Sequence, residues 1–117
     1  MPFHGNYGFM KHYIGELEEL VLLTVAVLGQ EAYGVSIQRE IESRSSRRIT
    51  IGGLHSSITR LEEKGLLKSW VGGATAERGG RSKRYYEITS LGRKAVAETK
   101  RLRDGLWSES GIKLAIK

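Results

Sequence analysis

The chain has no cysteine, so it carries no disulfide framework, no thiolate zinc site and no cysteine nucleophile. A reducing cytoplasm is its simplest setting. Long apolar runs are also lacking: the longest, residues 20–28, is interrupted by Thr24 and reaches about half of the roughly 20 residues that span a bilayer. It reads as a buried helix, and no membrane partner is expected. The opening MPFHGNYGFMKHYIG lacks the basic start, continuous apolar stretch and small-residue cleavage site of a secretory leader, and residues 1–14 read as a floppy or partner-docked arm. His4 and His12 are remote from His55, with no HxxxH or HExxH and no completing acid cluster, so neither metal nor cofactor is expected. The glycines Gly72, Gly73, Gly79 and Gly80 lack the spacing of a phosphate-binding loop, and no serine sits in a nucleophile elbow. No catalytic residue is assigned, and an enzyme is not expected.

What is there is basic. The 117 residues, 39% apolar and 27% charged, fit one compact domain and exclude two large ones. Nineteen Lys and Arg against thirteen Asp and Glu give a net charge of +6, which suits an anionic partner. The charge is uneven. Residues 1–46 hold three cations and six carboxylates, residues 47–84 nine cations and three carboxylates, and residues 85–117 seven and four. The middle third is the basic face; a merely solvated surface is the plain alternative.

Periodicity supplies the elements. Leu17, Leu20, Val21, Thr24 and Leu28 follow i, i+3, i+4 spacing, which predicts a helix over about 14–29, with Leu23, Val25 and Val27 widening its buried face and Gly29 as its stop. Glu16, Glu18 and Glu19 suit the positive end of its dipole. Val35, Ile37 and Ile41 mark a second helix over about 33–43, and Ile49 and Ile51 alternate as a very short strand would. A third helix over about 53–64 buries Leu54, Ile58 and Leu61, leaves His55, Ser56, Thr59, Arg60 and Glu63 on its polar face, and stops at Gly65.

Two stretches of strand composition, residues 67–71 (LKSWV) and 83–89 (KRYYEIT), flank a long glycine-rich loop and predict a protruding hairpin with Arg78, Arg81, Lys83 and Arg84 within seven residues. One of Tyr85 and Tyr86 should cover the core and the other face outward, an assignment the sequence leaves open. Thr89 or Ser90 caps a last helix to about residue 110, with Leu91, Ala95, Leu102, Leu106 and Trp107 as candidate dimer contacts. Leu102, Leu106 and Trp107 also allow two other readings, a small-molecule effector pocket between subunits or packing on the chain's own domain. The predicted fold class is mainly α with a small β-hairpin: a winged helix-turn-helix over 15–89, a dimerisation helix over 90–110 and a tail over 111–117. His55, Ser56, Thr59, Arg60, Lys64 and the four wing cations are then the candidate DNA contacts, although Arg60 has a plainer role available in an ion pair with Glu63. Ser57 is a donor that suits DNA or faces the first helix.

The segments LEELVLLTVAVLG (17–29), YGVSIQREIE (33–42), GGLHSSITRLEEKGLLKSW (52–70) and GGRSKRYYEITSLGRKAV (79–96) together resemble the PadR family of transcriptional regulators. The resemblance implies a winged-helix homodimer that binds double-stranded operator DNA and represses transcription, with the last helix supplying much of the dimer contact. His55 and Ser56 depart from the Tyr-Pro that the family commonly carries in the third helix, which bears on operator preference. After about Leu106 a short tail remains, so no separate effector domain of several helices is expected. The rival reading is a winged-helix protein-interaction module whose basic face meets an acidic partner.

Overall fold

The computed structural model describes residues 13–72 and 83–114, so most of the arm, Arg78, Arg81 and the end of the tail lie outside the described residues. Helix α1 (Glu16–Leu28) leads through a 3-10 turn at Gly29–Glu31 to α2 (Gly34–Ser45) and α3 (Ile51–Glu63). Strands β1 (Leu67–Gly72) and β2 (Lys83–Ile88) follow, and α4 (Ser90–Ser110) closes the order.

Local chemistry explains each boundary. The Gly15 N–H donates to Glu18 Oε1 at 2.9 Å, which fastens the entry of α1, and Gly29 at φ 60° ends it. The Tyr33 N–H donates to Ser36 Oγ at 2.9 Å at the start of α2. Thr50 caps α3 by accepting from the Gly53 N–H, and Thr89 caps α4 by accepting from the Gly92 N–H. At the end of α3 the Gly65 N–H reaches the Glu62 carbonyl and the Leu66 N–H reaches the Leu61 carbonyl, with Gly65 at φ 78°; this paired closure is a Schellman motif.

No strand forms at Ile49 and Ile51. Ile49 is buried with its N–H on the Glu42 carboxylate and its carbonyl accepting from Gln38 Nε2, so side chains of α2 satisfy the backbone that a ladder would have used, and Ile51 opens α3. A second correction concerns α1 and α2: Val21, Leu22 and Val25 are buried, whereas Leu23, Val27 and Val35 are exposed. The apolar girdle of α1 is wider than the described residues cover.

The core gathers Val21, Leu22, Val25, Ile37, Ile41, Leu54, Ile58, Leu61, Leu66 and Leu67 with Tyr86 and Ile88 from the hairpin. The strands pair antiparallel, Leu67 opposite Ile88 and Trp70 opposite Tyr85. Alternation turns Tyr86 inward and leaves Tyr85 half-buried on the outer side, where its ring meets those of Trp70 and Tyr33 at centroid distances of 5.9 and 5.8 Å. A helix-turn-helix of α2 and α3 followed by a hairpin wing is a winged helix-turn-helix. Among the described residues no helix is long and apolar enough to cross a membrane.

Ala95 is fully buried in the chain's own core, so it is not a free dimer contact. The reason lies one turn earlier. A Cβ on Gly92 would stand 2.3 Å from the Leu66 carbonyl oxygen and 2.7 Å from Ile88 Cγ1, so the start of α4 is pressed onto the hairpin. Gly92→Ala should therefore cost about 3 kcal/mol, the upper range for overpacking. Gly34→Ala, whose Cβ would meet His55 Nε2 at an ordinary 3.8 Å, should stabilise by about 0.4–1 kcal/mol through the unfolded chain. Urea denaturation of both variants checks the opposite signs.

Candidate nucleic-acid interface

Helix α3 divides its residues sharply. Leu54, Ser57, Ile58 and Leu61 are buried, while Ile51, Gly52, Gly53, His55, Ser56 and Thr59 are exposed on its N-terminal half. That half carries short polar side chains that are exposed among the described residues, the form a helix needs to bring side chains to base edges in a major groove. Ser57 belongs to the other side, where its Oγ accepts from Arg60 Nη2 at 3.2 Å.

The C-terminal half of α3 is committed differently. Glu18 of α1 is buried, and its carboxylate accepts from Arg60 Nε at 3.2 Å and from Lys64 Nζ at 3.0 and 3.3 Å, besides the Gly15 N–H. Lys64 Nζ also donates to the Tyr13 carbonyl at 3.2 Å. The ion-pair partner of Arg60 is thus Glu18 and not Glu63. Burial by itself would push the Glu18 carboxyl up, but the Gly15 N–H, Lys64 and Arg60 together hold it below the ordinary glutamate value. Sequence reasoning missed this carboxylate. Its Gly-x-x-Glu spacing at a helix start was the available signal, but a partner 42 or 46 residues away leaves none.

The wing's described cations do not form one set. Consecutive strand residues face opposite ways: Lys83 lies with Nζ 3.9 Å from the centroid of the Tyr33 ring, whereas Arg84 Nη1 donates to Ser69 Oγ at 2.9 Å. Ser69 in turn donates to Glu62 at the end of α3, so Arg84 is the described wing cation on the side of that helix. The Tyr33 to Tyr85 bridge fixes the root of the wing against the entry of α2.

On α4 every residue from Lys100 to Ser110 is exposed, and Leu102 and Leu106 are each 64% exposed, with Trp107 at 49%. Leu91 sits nearer the core with its Cδ2 3.8 Å from the position of a Cβ on Gly65. Arg103 pairs with Glu19 of α1 at 3.0 Å. An open groove near the wing root is lined by Glu31, Trp70, Tyr85, Glu87 and Arg93 among others, and the apolar residues of α4 do not line it. Among the described residues no group of His, Asp or Glu is placed to hold a metal ion.

A winged helix with a bare polar recognition helix and a basic wing is the architecture of a DNA-binding regulator. Residues 22–98 match the model of the transcriptional regulator PadR-like family, and the chain belongs to that family, whose members are regulators and not enzymes. It is 30% identical over 86 residues to an uncharacterised protein of Lysinibacillus sphaericus, covering 72% of this chain and 74% of that one. Among solved structures it is similar to a PadR-like transcription factor from Bacteroides fragilis (TM-score 0.67, 24% identity, 90% of this chain and 93% of that one). It is also similar to a PadR family regulator from Eggerthella lenta (TM-score 0.59, 25% identity, 80% and 83%).

The Glu18 cluster has a pH signature. Because its folded-state pKa is lowered, the stabilisation is complete above the unfolded value of about 4.3 and is lost as pH falls through the lower folded value. Wild type should exceed Glu18→Gln by about 2 kcal/mol near pH 7, the scale of a hydrogen bond to a charged group, and the gap should narrow as the solution is acidified through the lowered folded value. Denaturation midpoints across that range measure it; a gap independent of pH would mean that the charge contributes nothing.

Proposed function

We propose that the protein is a homodimeric, sequence-specific repressor that binds a pseudo-palindromic operator in double-stranded DNA in the cytoplasm. The observation that carries the reading is the bare N-terminal half of α3, with His55, Ser56 and Thr59 exposed opposite the buried Leu54, Ile58 and Leu61. These three side chains read bases in each half-site. Arg84 anchors on phosphates together with Arg81 and Arg78, which lie outside the described residues, while Lys83 is shared with the Tyr33 ring. Leu91, Leu102, Leu106 and Trp107 supply the dimer seam, and the same apolar side chains offer a lining for a small-molecule effector between subunits. Two-fold symmetry then sets the half-sites about one helical turn, roughly 34–36 Å, apart.

Fluorescence anisotropy against a duplex selected from a random pool, and against its scrambled counterpart, tests the reading. A preference of about a thousandfold is expected, with log affinity falling linearly in log salt. Thr59→Ala should lower that preference, whereas Arg84→Ala should weaken both duplexes and reduce the salt slope by about 0.9. Selection that enriches no sequence, with weak and equal binding throughout, would overturn the proposal in favour of docking to an acidic protein. Sedimentation of Leu102→Asp/Leu106→Asp should give half the mass of wild type; equal masses would refute the seam.

A further inference from the structure

Arg60 of the recognition helix and Lys64 at its C-cap are partly exposed, yet both are held by the buried Glu18. Lys64 Nζ has three hydrogens and three oxygens within 3.3 Å: both of the Glu18 carboxylate and the Tyr13 carbonyl. Arg60 spends Nε on Glu18 and Nη2 on Ser57 Oγ, and its side chain remains about half exposed. Drawing Lys64 out to a phosphate would strip a buried carboxylate of its closest cation and unfasten the Tyr13 carbonyl at the same time. The phosphate would have to outbid an anion that is already desolvated, fixed by the Gly15 N–H and in contact.

We propose that Glu18 is a positioning residue that withholds Lys64 wholly, and Arg60 in part, from the DNA backbone, and so sets how much sequence-blind affinity the recognition helix carries. This rests on the DNA-binding reading given above. A cation on phosphate strengthens binding to every sequence alike, whereas His55, Ser56 and Thr59 discriminate. With Lys64 turned inward, the electrostatic share falls to the wing, and α3 is left to read bases.

The salt dependence of binding to scrambled duplex reads this directly, because each phosphate contact adds about 0.9 to the slope, a further three- to fourfold loss of affinity between about 50 and 200 mM salt. In the otherwise native full chain, Lys64→Ala should leave the slope unchanged. Glu18→Gln, which keeps an acceptor for the Gly15 N–H, should raise it by about 0.9 or more, and adding Lys64→Ala to Glu18→Gln should remove the part due to the freed lysine. Glu63→Gln makes the same charge change on the exposed side of α3, and in its background Lys64→Ala should have no effect on the slope.

A slope lowered by Lys64→Ala alone would show Lys64 already on a phosphate and overturn the proposal. So would a folded Glu18→Gln with the slope of wild type. If circular dichroism shows that Glu18→Gln does not fold, Lys64→Ala alone decides by the same criterion. Absence of any salt-linked duplex binding by wild type would instead sink the DNA-binding reading itself.

Discussion

Four elements meet within a few ångströms at the end of α3, and their relative placement hangs on Thr89. Its Oγ donates to the Gly65 carbonyl at 2.7 Å and accepts from the Gly92 N–H at 2.9 Å, while its own N–H reaches the Leu66 carbonyl at 3.1 Å. One residue, through its side chain and its own N–H, thereby joins the stop of the recognition helix, the residue before β1, the end of β2 and the cap of α4. Gly92 makes the junction tight, because any larger residue meets the Leu66 carbonyl. The direction in which α4 leaves the domain is therefore fixed relative to α3. In a two-fold dimer built on α4 that single angle governs the separation of the two recognition helices, which is the quantity an operator's half-site spacing must match.

The charge asymmetry of the chain has an internal as well as an external meaning. Glu16 pairs with Arg47 of the turn before α3, Glu18 with Arg60 and Lys64 of α3, and Glu19 with Arg103 of α4. The acidic first turn of α1 is thus the surface on which three basic stretches dock, beyond any favourable contact with the helix dipole. These pairs are not equal. Glu16 is 71% exposed and solvent screens its pair, so that contact orients more than it stabilises. Glu18 is buried and shared, and its loss reaches two cations of the recognition helix at once. Part of the positive charge that a net count assigns to an outside partner is already answered from within.

Much of this was legible because helical periodicity and glycine stops are local. The spacing of Leu54, Ile58 and Leu61 located the buried side of α3, Gly65 located its end, and the two strand stretches located the wing. What failed was non-local. Two alternating isoleucines imitate a strand, but Ile49 has its backbone bound by Gln38 and Glu42, which periodicity does not register. Arg60 has Glu63 beside it in sequence and Glu18 beside it in space. Ala95 shares a helical stripe with Leu102 and Leu106, yet the closeness forced at Gly92 buries Ala95 in the core, while the stripe leaves the domain further along. Four wing cations in seven residues look like one patch until strand alternation sends Lys83 and Arg84 to opposite faces.

The exposed half of α4 is a physical problem as well as a candidate interface. From Lys100 to Ser110 no residue is buried, and a segment of that length is marginal as a helix in water unless something packs on it. The Arg103 to Glu19 bridge tethers one side, and the Lys100 to Asp104 pair adds a few tenths of a kcal/mol of local support. Neither covers Leu102, Leu106 or Trp107, and α1 adds Leu23 and Val27 to the uncovered apolar surface. Burying such side chains is worth about 1.5–3 kcal/mol each, more than the ion pairs supply together. In the proposed dimer a second copy of the chain would meet the requirement. It would also stiffen the distal half of the helix whose root Thr89 has aligned with α3, so that the pairing proposed to cover the exposed surface would also hold the two α3 helices in place.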